Sequence, residues 1–145
     1  MKKLLITLMM IACAVGLVSA KDNYAHDASV LPRPAQTMIK KNFKARVGVV
    51  KIDKDFGRVS EYEVTLTNGS EIVFDRDGNW KDIETNIDSQ VPQTFIPANT
   101  RSYIKANHKG QRVVGIEKER NGYEITLSNG IDFKTDQNGN FVKYD

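Results

Sequence analysis

The sequence predicts an α+β fold: tandem α-β(3-4) repeats forming one antiparallel sheet of seven or eight strands, with two helices on one face. Three observations lead there. "YEVTLTNGSEIVFDRDGNW" at 62–80 nearly recurs as "YEITLSNGIDFKTDQNGNF" at 123–141. At 62–67 and 123–128 apolar and polar residues alternate, the mark of a half-buried antiparallel strand. Ahead of each copy lies a short proline-opened stretch with apolar residues at helical spacing.

In chain order, residues 1–20 read as a signal peptide. Lys2 and Lys3 form a basic start, residues 4–18 are almost wholly apolar, and Val18-Ser19-Ala20 has the small-residue spacing of a cleavage site. A transmembrane anchor is one alternative, although the apolar run is short for the ~20 residues of a span. A second is a lipoprotein tethered through Cys13, on the loose lipobox Met10-Ile11-Ala12-Cys13. Losing Lys2 and Lys3 from 21 basic residues leaves 19 against 18 acids, a mature net charge of +1. That gives no argument for nucleic acid as a partner. The single cysteine leaves with the leader, so the mature domain relies on its core. A chain of this size buries about two-thirds of its surface.

Residues 21–30 form a polar N-terminal segment expected to be loosely ordered. The first repeat spans 31–84, a polar linker 85–95, and the second repeat 96–145, both repeats sharing one domain. Ala35, Met38, Ile39 and Phe43 mark the buried face of the first helix; Thr100, Tyr103, Ile104 and His108 mark that of the second. Pro32 and Pro97 suit helix starts, where a missing N–H is harmless. Both helices are too short to be stable alone and need a sheet to pack on. "VVKIDKD" (49–55) aligns with "VVGIEKE" (113–119) as the first strand of each repeat.

Alternation fixes the hairpins, because directly paired residues share a face. Three-residue loops, Thr67-Asn68-Gly69 and Ser128-Asn129-Gly130, pair Val64 with Ile72, Tyr62 with Phe74, Leu127 with Ile131 and Ile125 with Phe133. Two-residue loops would place core residues opposite solvent-facing ones. A type I turn closed by a left-handed glycine is therefore expected. For the preceding hairpin, Asn121-Gly122 as a two-residue turn pairs Ile116 with Leu127. The first repeat carries three more residues there, read as a longer loop at about 57–61 that pairs Ile52 with Leu66. The last strand of each repeat, from Trp80 and Phe141, alternates too poorly to register.

These residues resemble a known family. The pattern Y-E-[VI]-x-L-x-N-G followed by D-x-x-G-N-[WF], after a helix opened by [LI]-P, is similar to the PepSY-like, β-lactamase-inhibitor-like domain family. The resemblance covers nearly all of the mature chain. It implies a secreted or periplasmic protein with tandem copies, helices on one side of the sheet and a concave open face on the other. It does not extend to any inhibitory contact residues.

Chemistry-bearing motifs are few. Asp75-Arg76-Asp77-Gly78-Asn79 invites a calcium reading, but an EF-hand needs glycine at position 6 and a closing glutamate at 12. Here glycine stands fourth, as in a hairpin turn, and the second copy reads Asp136-Gln137-Asn138-Gly139-Asn140. His26 lies near the N-terminus, and His108 takes the place of Phe43 on a packed helix face. Neither has a nucleophile motif beside it. No catalytic residue, cofactor or metal is therefore predicted.

Two charged surfaces remain. Lys40, Lys41, Lys44, Arg101, Lys105 and Lys109 make the outer helix faces basic. The open sheet face carries Glu63, Thr65, Glu71, Glu124, Thr126, Asp132 and Lys134, with Glu117 beside them. A rigid open sheet loses little ordering entropy on binding. The expected function is a non-enzymatic secreted or periplasmic binding or inhibitor-type module. It would act as a monomer, docking an unidentified envelope protein through these sheet residues, with no transmembrane span after cleavage. The runner-up is a binding protein for a small ligand or cell-surface component, with or without a lipid anchor. A hydrolase ranks third.

Overall fold

The computed structural model describes residues 23–145; the leader, its cleavage site and Cys13 lie outside the described residues. Nine strands form one antiparallel sheet in sequence order. They are β1 (Tyr24–Ala25), β2 (Val47–Asp55), β3 (Arg58–Leu66), β4 (Glu71–Asp75), β5 (Trp80–Glu84), β6 (Val113–Glu119), β7 (Gly122–Leu127), β8 (Asp132–Asp136) and β9 (Phe141–Tyr144). Helix α1 (Arg33–Asn42) precedes β2 and α2 (Ala98–Asn107) precedes β6. Each helix thus leads a four-strand meander, and β5 pairs with β6 to join the two halves. The α+β reading holds. The ninth strand is β1, two residues paired with Val50 and Lys51, where a loose polar segment was expected.

The helices pack on one sheet face. α1 buries Ala35 and Ile39, and α2 buries Thr100 and Ile104. They meet Val50, Val64, Leu66, Ile72, Phe74, Ile83, Ile116, Ile125, Leu127 and Phe133, all under 3% exposed. Burying one such side chain stabilises the fold by roughly 1.5–3 kcal/mol, so the alternating register is held strongly. Thr100, the polar member of the α2 face, donates its hydroxyl hydrogen to the Gly139 carbonyl at 2.8 Å. Buried polar groups are tolerated when paired in this way.

The glycine hairpins form as expected. Tyr62 pairs with Phe74, Val64 with Ile72, and Ile125 with Phe133. The Leu66 and Leu127 amides close the loops onto the Ser70 and Ile131 carbonyls, and Gly69 and Gly130 both have φ of 84°.

The hairpins before them differ from expectation. Ile116 pairs with Ile125, not Leu127, because the turn is Arg120-Asn121 and Gly122 already belongs to β7. Gly122 lies so close to β8 that a Cβ would collide with the Thr135 carbonyl oxygen. That contact holds it in the strand. In the first half Ile52 pairs with Tyr62, not Leu66. The additional residues lengthen the strands instead of the loop. Asp55 pairs with Arg58 across a tight Phe56-Gly57 turn, so residues 54–60 project past the sheet with Phe56 fully exposed at the tip.

Bulges explain what alternation alone could not register. Both β5 and β9 carry an extra residue against the neighbouring strand, at Lys81 and Val142, next to Trp80 and Phe141. Each bulge resets the pleat, so that Trp80 and Ile83 both face the helices although they are three residues apart. A matching pair of bulges, at Gly48 and Val114, falls between β2 and β3 and between β6 and β7.

The segment 85–95 is more than a polar linker. Val91 is wholly buried and its amide donates to the Val113 carbonyl at 2.8 Å. Phe95 stacks on Phe43 at 6.3 Å and meets the edge of Trp80 at 5.5 Å.

Candidate partner-docking face

No described helix or strand covers the sheet face opposite the helices. Strand pairing arranges its side chains in rows. One row crosses all nine strands: Tyr24, Lys51, Glu63, Val73, Asp82, Glu117, Glu124, Lys134 and Lys143. The next runs Val49, Thr65, Glu71, Glu84, Gly115, Thr126 and Asp132. All seven sequence-predicted docking residues therefore lie in two adjacent rows. Sequence reasoning missed Asp82 and Glu84, which link the two halves at the centre. The bulge at Lys81 hid them by breaking the alternation of β5.

The charges are ordered from rim to centre. Lys51 bridges Asp53 at 3.3 Å and Glu63 at 3.2 Å, and Lys81 meets Glu61 at 2.9 Å. Lys134 holds Glu119 at 2.6 Å and stands 3.7 Å from Glu124. Among the described residues, Glu71, Asp82 and Glu84 have no ion-pair partner within 4 Å. Burial between strands, then the charges of Glu117, Glu84 and Glu71, raise the Asp82 carboxyl to about 7. Burial, with Glu84 and Glu63 nearby, also raises Glu71, and burial alone raises Glu84. Glu124 rises to about 7, chiefly through burial, against the pull of Lys134, whose ammonium is engaged more closely by Glu119. Such shifts mark carboxylates short of counter-charge, because desolvation disfavours the ionised form. Asp132 adds a buried Oδ1 with no hydrogen-bond partner among the described residues. Gly115 leaves the floor low between Glu84 and Thr126: a Cβ there would stand 3.2 Å from the Thr126 Cβ.

The turn carboxylates behave differently. Asp75 Oδ1 accepts the amides of Asp77 and Asn79, each at 2.9 Å, and Asp136 accepts those of Asn138 and Asn140 in the same way. The Asn79 and Asn140 side chains donate to the second oxygens. In Asp136 these bonds, the Asn140 side chain first, hold the carboxyl below its ordinary value, and in Asp75 they outweigh burial to the same effect. Both aspartates thus serve their own turns. Asp53, Glu61 and Glu63 bring one oxygen each within 4.8 Å of one another, but Lys51 and Lys81 supply the neutralising charge. His108 stacks on Phe133 at 6.1 Å and shares a 3.1 Å hydrogen bond with the Tyr144 hydroxyl, in an aromatic cluster against the helix side. No helix among the described residues is long and apolar enough to cross a membrane.

Comparison with known proteins agrees with this architecture. A putative periplasmic protein of unknown function from Bacteroides vulgatus is 40% identical, with a TM-score of 0.78 over 84% of this chain and 97% of that one. A putative calcium-regulated periplasmic protein from Bacteroides thetaiotaomicron is 33% identical, with a TM-score of 0.74 over 82% and 93%. A second putative periplasmic protein from B. vulgatus is 31% identical, also at 0.74, over 86% and 98%. No curated protein matches the chain. The family model described as "Putative beta-lactamase-inhibitor-like, PepSY-like" matches residues 60–143, a span that begins inside β3 and so does not follow the boundaries of the sequence repeat. By this match and by its identity to the B. vulgatus protein, the chain belongs to the PepSY-like, β-lactamase-inhibitor-like family.

Proposed function

We propose that this protein is a non-enzymatic binding module of the bacterial envelope that docks a protein partner through its open sheet face. The observation that carries this reading is the acidic centre of that face. Glu63, Glu71, Asp82, Glu84, Glu117 and Glu124 crowd five adjacent strands; Lys51 and Lys134 stand on the flanking strands, and Lys81, at the start of the central strand, is held by Glu61. Crowded, partly desolvated carboxylates cost stability in the free protein. A partner carrying arginine or lysine at this place would relieve that cost on binding and would be steered toward it. The platform is hydrogen-bonded throughout and ordered before binding, which keeps the entropic penalty low. The placement of the two histidines supports the non-enzymatic reading. His108 is packed among aromatic rings, and His26 lies beside the Gly48 carbonyl at the sheet edge, its Nδ1 3.3 Å away.

Placement in the periplasm rests on the leader-like residues 1–20 and on relatives described as putative periplasmic proteins. Mass spectrometry of the protein isolated from cells should give an N-terminus at Lys21. A lipid-bearing N-terminus at Cys13 would replace this with a membrane-tethered form. Affinity capture from envelope extract, with the mature chain as bait, tests the docking reading. A stoichiometric protein that elutes with rising salt is expected. Repeated capture without any such protein would contradict it.

A further inference from the structure

The helix side of the molecule carries a second feature, distinct from the sheet face. A cleft of about 260 Å³ opens between α2, the segment leading to it and the start of β6. Its floor includes Ile104 and Val113, both buried, and its walls include Arg101, Lys105, Arg112 and Gln93. Among the described residues no acidic side chain lines it. Among the described residues none of these three cations makes an ion pair. Three cations from two separate elements thus face one cavity without counter-charge, an arrangement that costs repulsion unless an anion is present.

All three cations are exposed, and Arg112 has fixed partners. Arg112 is locked to the β7–β8 hairpin: its amide donates to the Ser128 hydroxyl at 3.1 Å and its carbonyl accepts the Ser128 amide at 2.8 Å. Its guanidinium donates to the Ile87 carbonyl at 2.8 Å, leaving other N–H groups of the fork for a ligand. Arg101 and Lys105 lie one helical turn apart on α2, where residues four apart are neighbours.

The first half of the molecule lacks this arrangement. Arg46 makes the same backbone bonds to Thr67 that Arg112 makes to Ser128. But Gln36 stands where α2 has Arg101, and its side chain is used within the chain, donating to the Leu31 carbonyl at 2.7 Å. Four positions separate His108 from Arg112, against three from Phe43 to Arg46, the difference being an added residue around Gly110 at the cleft. The two halves share a fold, and only the second builds a cation-lined cleft.

We propose that this cleft binds the oxyanion of a small acidic ligand, a phosphate or carboxylate group, between Arg101, Lys105 and Arg112. The paired N–H groups of a guanidinium match both oxyanions in geometry, and charge-assisted bonds of this kind are the strong ones. The apolar floor suits a short hydrocarbon portion of the same molecule. The site is independent of the sheet face, so either reading can fail alone.

The test is an NMR titration of the purified protein with inorganic phosphate, and separately with butyrate, at constant ionic strength held by chloride. Saturable amide shifts are expected at Arg101, Lys105, Arg112 and Gln93. Arg101→Gln, which installs the first half's residue at an exposed position, should weaken binding roughly tenfold or more, as expected for one charge-assisted contact. Lys105→Gln provides a second variant should the first disturb folding, and should weaken binding in the same direction. Lys40→Gln, on the equally basic outer face of α1, should change nothing. Co-sedimentation with phosphatidylglycerol vesicles that is lost in Arg101→Gln would assign the site to a lipid headgroup; saturable shifts without co-sedimentation would assign it to a free molecule. Linear shifts, equal at Lys40, Lys41 and Lys44, would mean screening only and would overturn the proposal. So would an Arg101→Gln variant of unchanged affinity.

Discussion

Gly130 and Gly139 both have positive φ, near 84°, yet for different reasons. Gly130 turns a hairpin in open space, with nothing near the position of a Cβ. Gly139 lies under the start of α2, where a Cβ would collide with Pro97 and stand 2.7 Å from the Thr100 hydroxyl. Gly130→Ala should therefore cost about 1 kcal/mol, from backbone strain alone. Gly139→Ala should cost clearly more, because it adds overpacking and displaces the Thr100 bond. Urea denaturation of the two variants checks the order; equal losses would mean that the helix does not rest on the turn. Asp82 makes a second residue-scale case. Its pKa is about 7 in the fold, against an ordinary 3.8. The folded state thus holds a proton that the unfolded chain has already released. This term lowers stability as pH rises from about 4 to about 7, and the loss is complete above 7. Asp82→Asn should flatten that decline, so that the variant gains on the wild type at pH 8 but not at pH 4. Melting curves across pH measure it, and parallel curves for the two proteins would show that Asp82 ionises normally.

At the scale of elements, legibility in the sequence followed how local the physics was. The Asn-Gly hairpins were readable because strand alternation and a left-handed glycine specify the same loop length. The turn aspartates were readable because each bonds only to its own next four residues. β5 was not, since a bulge at Lys81 places Lys81 and Asp82 on one face and defeats a period of two. That concealed Asp82 and Glu84, two of the six carboxylates of the acidic centre. The pairing of Ile116 was misread by two residues. The turn was placed at Asn121-Gly122, whereas Gly122 already pairs with Glu119, and the ties of Arg46 to Thr67 and Arg112 to Ser128 set the true correspondence of the halves. The two-residue β1 is too short to leave any periodic signal. Segment 85–95 reads as polar by composition, yet Val91 and Phe95 pack into the core while Ile87 stays exposed. Val91→Ala should accordingly cost about 2 kcal/mol by chemical denaturation, the loss of two buried carbons and the cavity left behind. A change within half a kcal/mol would return the segment to the role of a tolerant linker.

For the whole molecule, the sheet divides labour between its faces. The helix side holds the core and a basic surface; the other side presents mostly polar side chains in rows at fixed spacing, rich in carboxylates at the centre, with Lys51 and Lys134 on the flanking strands. A sheet of nine strands in sequence order has no crossover strand to cover that face, and the carboxylates it displays are partly buried between neighbouring strands. The central claim is that this face, not the basic helix face, meets the partner. The most direct measurement compares capture of the partner from envelope extract by four variants: Glu63→Lys, Glu124→Lys, Lys40→Glu and Lys105→Glu. All four positions lie outside the core, so melting temperatures should stay close to the wild type. The account predicts that the two sheet reversals lose the partner, while the two helix reversals retain it. Retention by the sheet variants, with loss at Lys40 and Lys105, would contradict it and move the platform to the helices.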